Sequence, residues 1–206
     1  MEPTDQNRRV WDEVHRPLEH PVPGLPAAVE QRLPELDGKH VLHLGCGTGE
    51  ATAELAGLGA LVTGVDASPE AVAAARERAP AVAFVHGDLN QLPVELRRAR
   101  FDLVYTPVGD VADAWAAGIV SALRPGGELI VHDEHPVLDC LDDMLHWRED
   151  YFEEGRRRLG LVVAALIAAG LTIESLVELP GESALLPQVR RVPGEVLLVA
   201  RKPGSS

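Results

Sequence analysis

The residues best suited to chemistry in this sequence stand where short apolar runs end. Three glycines at alternate positions, Gly45, Gly47 and Gly49, come directly after the run Val41–Leu44. Glycine lets a ligand press against the backbone, and the N–H groups at the start of the following helical pattern can hold a polar ligand. This spacing predicts a strand, a tight turn and a helix that together bind a nucleotide-type cofactor.

Two acidic residues end the next apolar runs. Asp66 closes the run Leu61–Val65, and Asp88 follows the run Val82–Val85. A carboxylate after the second strand can accept hydrogen bonds from both hydroxyls of a ribose. The alternatives are that Asp66 serves the start of the next helix near Ser68 and that Asp88 is an ordinary turn residue.

Two histidines follow the fifth predicted strand, in the segment His132-Asp133-Glu134-His135. An imidazole titrates near working pH, so it can take the proton of a hydroxyl group. We predict that His132 or His135 is the catalytic base, and the alternative is a hydrogen-bonding or loop-capping role. Two histidines also suggest a metal, but no third and fourth ligand can be placed, so no metal site is predicted.

Apolar runs alternate with helical patterns along most of the chain. This alternation predicts a parallel sheet with right-handed crossovers, and the last two runs, which no helix separates, predict an antiparallel hairpin. We predict strands over 40–44, 61–65, 82–85, 101–105, 128–132, 171–177 and 195–200, and helices over 4–16, 27–33, 48–58, 68–79, 111–123 and 159–169.

The pattern Val-Leu-x-Leu-Gly-Cys-Gly-Thr-Gly over 41–49, followed in order by Asp66, Asp88 and Pro-Gly-Gly over 125–127, resembles the class I methyltransferases, which bind S-adenosylmethionine. The dinucleotide fingerprint differs, because its third glycine comes three residues after the second. The resemblance implies an α/β, Rossmann-like, doubly wound sheet that is mostly parallel, with an antiparallel C-terminal strand and the order 3-2-1-4-5-7-6. It also implies a helical cap over 1–35 before a cofactor-binding domain over 36–206.

The resemblance further implies the residues that hold the cofactor. His43 stands where the family carries an acid that helps to hold the ammonium group. A neutral imidazole can accept a hydrogen bond, but a charged one repels the ammonium, so we expect affinity to fall as the pH drops below the pKa of His43, which is about 6.5 for an unperturbed ring. The expected cofactor-binding residues are His43, Gly45, Cys46, Gly47, Gly49, Asp66, Ala67, Asp88, Leu89, Tyr105 and Trp11.

The charge and the apolar content of the sequence narrow the classes of molecule that we expect the protein to bind. A net charge of −13 argues against a nucleic-acid substrate, because such binding depends on basic side chains that release counterions. The cluster Arg156–Arg158 is interpreted as a solvated helix start or as a site of local ion pairing. The sequence shows no leader and no run long enough to span a bilayer, so we expect a cytoplasmic protein that binds no membrane. The segments available as a lid, over 1–35, 134–158 and 180–193, are short, which leaves open a site completed by the second subunit of a homodimer.

The predicted function is methyl transfer from S-adenosylmethionine to an O or N atom of a small-molecule metabolite or natural product. Three alternatives remain. The first is a partner subunit that binds the cofactor without catalysing transfer, which the replacement of the family's acid by His43 leaves open. A nicotinamide-dependent oxidoreductase has a similar sheet, although the glycine spacing disfavours it. A methyltransferase for RNA or protein is disfavoured by the acidic composition.

Overall fold

The computed structural model describes residues 24–109, 112–142, 146–180 and 192–204. Its strands are β1 His40–Leu44, β2 Leu61–Asp66, β3 Ala83–His86, β4 Phe101–Thr106, β5 Leu123–Glu134, β6 Thr172–Pro180 and β7 Pro193–Arg201. They form one seven-stranded sheet in the order β3-β2-β1-β4-β5-β7-β6. The pairs from β3 to β5 are parallel, whereas β7 is antiparallel to both β5 and β6. The predicted fold class and strand order are confirmed.

The helices of the described residues connect the strands as the alternation predicts. The first is shorter than expected, and the helix predicted over 4–16 lies outside the described residues. Ser68 caps the third helix through its side-chain oxygen, which accepts a hydrogen bond from Ala71 N at 3.1 Å. The helices are α1 Ala27–Glu30, α2 Glu50–Gly57, α3 Pro69–Arg78, α4 Ala112–Ala122 and α5 Leu159–Ala168.

The central strands of the sheet are buried on both faces, which explains why they appear in the sequence as continuous apolar runs. One face packs against α4 and α5 through residues such as Trp115 and Leu166. The other face packs against α1 and α2 through Val29 and Leu55. Helices on both faces leave the carboxyl edge of the parallel strands open for a ligand. No helix in the described ranges is long and apolar enough to cross a membrane.

The start of β5 differs from the sequence-based prediction. The sequence predicts a strand that begins at Glu128, after the Pro-Gly-Gly segment, but β5 already begins at Leu123. Leu123 pairs with Phe101, and the pairing then shifts so that Leu103 lies opposite Glu128. Gly126 adopts a φ of +76° and allows this irregularity. The Pro-Gly-Gly segment therefore interrupts the pairing within one strand rather than preceding it.

Candidate active site

The glycine loop after β1 forms a cradle of bare backbone. Gly45, Gly47 and Gly49 have φ values of +66°, +52° and +89°, a region that side-chain-bearing residues rarely adopt. A Cβ atom added at Gly45 would lie 2.9 Å from Pro107 Cγ, so the loop presses directly against the segment after β4. These positions fit a cofactor that requires close contact with the backbone.

Two further positions of the loop, Cys46 and Gly49, pack against the rest of the protein and hold the cradle in place. A Cβ atom at Gly49 would lie 3.1 Å from Ala75 Cα, so glycine is needed where α2 begins against α3. Cys46 N donates to Val65 O at 3.0 Å, while the cysteine side chain is buried. Burial raises the pKa of the Cys46 thiol, which makes it a packing group rather than a nucleophile.

Asp66 joins the end of β2 to the glycine loop. Its Oδ2 accepts a hydrogen bond from Gly47 N at 2.7 Å, and its Oδ1 accepts one from Ser68 N at 2.9 Å. Each carboxylate oxygen can accept a further hydrogen bond, so Asp66 can still bind ribose hydroxyls. The next residue, Ala67, offers its carbonyl oxygen to His86 Nε2 at 3.0 Å. Asp66 therefore combines its expected ligand role with a role in shaping the loop.

The segment after β3 reaches the same edge of the sheet. Asp88 Oδ1 accepts hydrogen bonds from Asn90 N at 2.8 Å and from Asn90 Nδ2 at 3.2 Å. Leu89 Cδ2 lies 3.7 Å from the position that a Cβ atom would take at Gly45. The structure thus brings Leu89 to the glycine loop, whereas the hydrogen bonds of Asp88 to Asn90 are those of a turn residue, so the part of Asp88 in cofactor binding remains a prediction.

His43 is enclosed beneath the cradle. Its Nδ1 lies 2.8 Å from Thr52 Oγ1, and its ring stacks on Tyr105 with centroids 4.8 Å apart. Burial lowers the pKa of His43 from 6.5 to about 4. The expectation that His43 charges near pH 6.5 and weakens cofactor binding there is therefore wrong, because the buried ring stays neutral.

Tyr105 lies beside His43 on the neighbouring strand β4. Burial, with Asp133 and Glu195 nearby, raises the pKa of Tyr105 to about 12. The phenol is therefore protonated at neutral pH and can donate a hydrogen bond. The contact described for its ring is with His43, so the part of Tyr105 in cofactor binding remains a prediction.

His132 pairs with an acid that the sequence analysis did not single out. His132 Nε2 lies 2.7 Å from Glu195 Oε2, and its side chain is 13% exposed. In the antiparallel pairing of β5 with β7, Glu195 lies opposite Glu134. The only sequence signal for Glu195 is an acid at the start of an otherwise apolar strand. The pair has the form of an imidazole oriented by a carboxylate.

His135 has different surroundings from His132. Its Nδ1 accepts a hydrogen bond from Val137 N at 3.1 Å, and the residue is buried. Its Nε2 lies 2.9 Å from Glu178 Oε1, but the angle falls outside hydrogen-bond geometry. The two histidines therefore pair with acids on two different strands. Within the described ranges, no three His, Cys, Asp or Glu side chains are grouped so that they could hold a metal ion.

Asp133 ties the ends of β4 and β5 together. Its Oδ2 accepts hydrogen bonds from Val108 N at 3.0 Å and from Arg157 Nη1 at 2.9 Å. Of the two interpretations of the arginine cluster, local ion pairing applies to Arg157, which is half-buried and joins the loop before α5 to the end of β5. Asp133 and Arg157 are 24 positions apart, so spacing alone did not indicate their contact.

Several predicted residues lie outside the described residues. Trp11 and most of the expected cap over 1–35 belong to this group, as do most of the predicted lid residues 180–193. Of the cap, residues 24–35 are described, and Val29 of α1 packs in the core with Val41 and Leu55. The roles of Trp11 and of the cap remain predictions.

The geometry can be compared with known proteins. Residues 41–127 match a family described as a methyltransferase domain. An uncharacterized methyltransferase of Synechocystis sp. is 39% identical over 104 residues, which cover 48% of this chain and 48% of that protein. An O-methyltransferase of Penicillium expansum is 36% identical over 129 residues, which cover 56% and 46%. The chain spans about half the length of the curated relatives it matches.

Solved structures match over most of the chain. An S-adenosylmethionine dependent methyltransferase from Mesorhizobium loti has a TM-score of 0.71 and 26% identity, covering 85% of this chain and 96% of that one. A structure described for the conversion of a disulfide bond into a thioacetal group during echinomycin biosynthesis has a TM-score of 0.72 and 28% identity, covering 97% and 94%. Residues 41–127 thus carry a methyltransferase domain, and the sheet order of this chain is similar to that of solved S-adenosylmethionine-dependent methyltransferases.

Proposed function

We propose that this protein transfers a methyl group from S-adenosylmethionine to an O or N atom of a small-molecule metabolite or natural product. The observation that carries the proposal is the bond from Gly47 N to Asp66 Oδ2, which fixes the cradle and the ribose-binding carboxylate together. Among similar proteins, the O-methyltransferase of Penicillium expansum and the trans-aconitate 2-methyltransferase of Paracidovorax citrulli, 37% identical over 109 residues, support an oxygen acceptor.

The cofactor brings an activated methyl group on a sulfonium, so this chain must supply binding, orientation and a route for the acceptor's proton. Asp66 and Asp88 accept hydrogen bonds at one side of the cradle. His132 stands at the end of β5, where Glu195 can hold the Nε2 proton and leave Nδ1 as the base. His135 is the weaker candidate, because its Nδ1 already accepts the N–H of Val137.

The main rival is a cofactor-binding subunit that does not catalyse transfer. The sequence supports it through His43, which replaces the acid of the family. The structure weakens this argument, because His43 is neutral and bonded to Thr52 rather than charged beside the cofactor. The rival predicts cofactor binding without turnover.

The test is turnover with a panel of small hydroxyl, carboxylate and amine acceptors, read out as S-adenosylhomocysteine by mass spectrometry. We expect product that requires both the protein and an acceptor. Binding of S-adenosylhomocysteine is measured in parallel by calorimetry, with NADH as the matched comparison. Binding without turnover on any acceptor class would favour the subunit, and binding of NADH alone would contradict the cofactor assignment.

A further inference from the structure

A cleft of about 470 Å³ opens beside the methyl-transfer edge, between the start of α4 and the loop that enters α5. The lining of the cleft includes Gly109, Asp113, the arginines 156–158 and the apolar side chains Leu161 and Val162. A charged group beside apolar surface is the arrangement that fixes a small organic ligand by one end. The cleft is not part of the cofactor cradle.

The three neighbouring arginines differ in their partners. Arg156 pairs with Glu149 and Glu153. Arg157 pairs with Asp133 and with a second carboxylate at 3.3 Å. These two guanidinium groups are therefore neutralised by side chains of the same chain, and they organise the loop rather than offer charge to a ligand.

Arg158 stands apart from its two neighbours. Its Nε is buried and has no hydrogen-bond partner, and no ion pair joins Arg158 to a carboxylate of the described residues. A buried guanidinium N–H without a hydrogen-bond partner is costly, and an anion in the cleft would remove that cost. The guanidinium is a planar fork that matches a carboxylate through two parallel hydrogen bonds.

The start of α5 adds positive potential at the same place. Arg158 is the residue before its first turn, which contains no acidic side chain and has no side-chain cap. Helix N-termini favour negative charge through their N–H groups. The added potential is modest by itself, but it acts on the same anion as Arg158.

The cleft is held next to the reaction edge. Asp133 Oδ2 binds both Val108 N, after β4, and Arg157 Nη1, in the loop that precedes Arg158. A ligand anchored at Arg158 would therefore extend from a loop fixed to the ends of β4 and β5. Asp133 faces α4 and α5 whereas His132 faces the other side of β5, so a ligand held at Arg158 would extend over the ends of β4 and β5 to reach His132.

We propose that this cleft binds the carboxylate of the methyl acceptor, with Arg158 as the specificity-determining residue. The proposal rests on the proposed function and names its substrate class as small organic acids with an apolar carbon skeleton. Leu161 and Val162 receive the skeleton, and Asp113 disfavours a doubly charged phosphate. Arg158 binds the acceptor away from the atom that receives the methyl group.

The test is calorimetric titration of the full chain, saturated with S-adenosylhomocysteine, with 4-phenylbutyrate and with its neutral amide. We expect the carboxylate to bind and the amide to bind at least tenfold more weakly. Arg158→Gln should lose at least tenfold in affinity for the carboxylate, and Arg158→Lys should retain part of it. Arg148→Gln is the matched control, because Arg148 is exposed, pairs with Asp142 and does not line the cleft.

Several results would overturn the carboxylate site. These are no binding of 4-phenylbutyrate to the parent protein, equal binding to the parent and Arg158→Gln, or equally tight binding of the amide. A third titration with inorganic phosphate separates the anion classes, and Arg158-dependent phosphate binding that is as tight as the carboxylate would also overturn it. Failure of S-adenosylhomocysteine to bind the parent protein would instead reject the proposed function, so the two failures are distinguishable.

Discussion

Asp66 Oδ2 accepts a hydrogen bond from Gly47 N at 2.7 Å, so the end of β2 holds the glycine loop that follows β1. The same carboxylate accepts Ser68 N through its other oxygen. One side chain therefore orients the loop and holds the start of α3. The loss of Asp66 should affect cofactor binding through both direct contact and loop geometry.

The first prediction concerns cofactor affinity. Asp66→Ala should weaken binding of S-adenosylhomocysteine by roughly 1.5–3 kcal/mol, because charge-assisted hydrogen bonds to ribose are lost. Calorimetric titration measures this change. Glu77→Ala is the matched control, since Glu77 is an exposed acid near the end of α3, and its affinity should equal that of the parent. An affinity unchanged by Asp66→Ala would show that Asp66 does not contribute to cofactor binding.

The second prediction concerns the close packing of the loop. Gly49→Ala should lower the free energy of unfolding by at least about 1–2 kcal/mol, the typical cost of a left-handed non-glycine residue. Its φ is +89°, and a new Cβ atom would lie 3.0 Å from Ala75 Cβ. Urea unfolding measures the change. Gly57→Ala should be neutral or stabilising, because no atom lies within 4 Å of its added Cβ. Equal effects of the two substitutions would contradict the packing argument.

The third prediction concerns pH. Burial lowers the pKa of His43 to about 4 in the folded protein, whereas the unfolded chain keeps about 6.5. The unfolded state therefore binds a proton first as the pH falls. The stability that His43 contributes is complete above pH 6.5 and is lost towards pH 4, by about 3 kcal/mol in total.

Urea unfolding between pH 4.5 and 7.5 measures this loss, and His43→Asn should remove the part of the slope that His43 causes. Because the ring stays neutral, affinity for S-adenosylhomocysteine should be constant between pH 5.5 and 8. A loss of affinity near pH 6.5 that disappears in His43→Asn would show that the ring charges in the folded protein. Such a result would restore the interpretation drawn from the sequence.

The fourth prediction concerns the proton of the acceptor. With a hydroxyl acceptor, His132→Ala should lower kcat by about 10²–10⁴-fold and leave cofactor affinity nearly unchanged. Glu195→Gln should cause a smaller loss, because the amide oxygen can still accept a hydrogen bond from His132 Nε2. Steady-state kinetics measure both effects. His146→Ala is the exposed control and should retain full turnover. Full activity in His132→Ala would contradict a catalytic role for His132, and the positioning of the two substrates would then account for catalysis by itself.

The sequence determined the fold class and most of the cofactor cradle, because both depend on local patterns. Strand runs, the glycine spacing at 45–49 and the acids at 66 and 88 each follow from a few neighbouring residues. A parallel sheet then brings the carboxyl ends of its strands to one edge without further information. The start of β5 was predicted wrongly, because its pairing with Phe101 across the Pro-Gly-Gly segment is not a local property.

Tertiary structure decided the chemistry of individual side chains. The neutral state of His43 depends on burial under the loop, and no sequence pattern measures burial of a single polar residue. The partners of His132 and Arg157 lie 63 and 24 positions away, so only strand pairing and loop closure bring them together. The difference between Arg158 and its two neighbours likewise depends on which acids the folded chain places nearby.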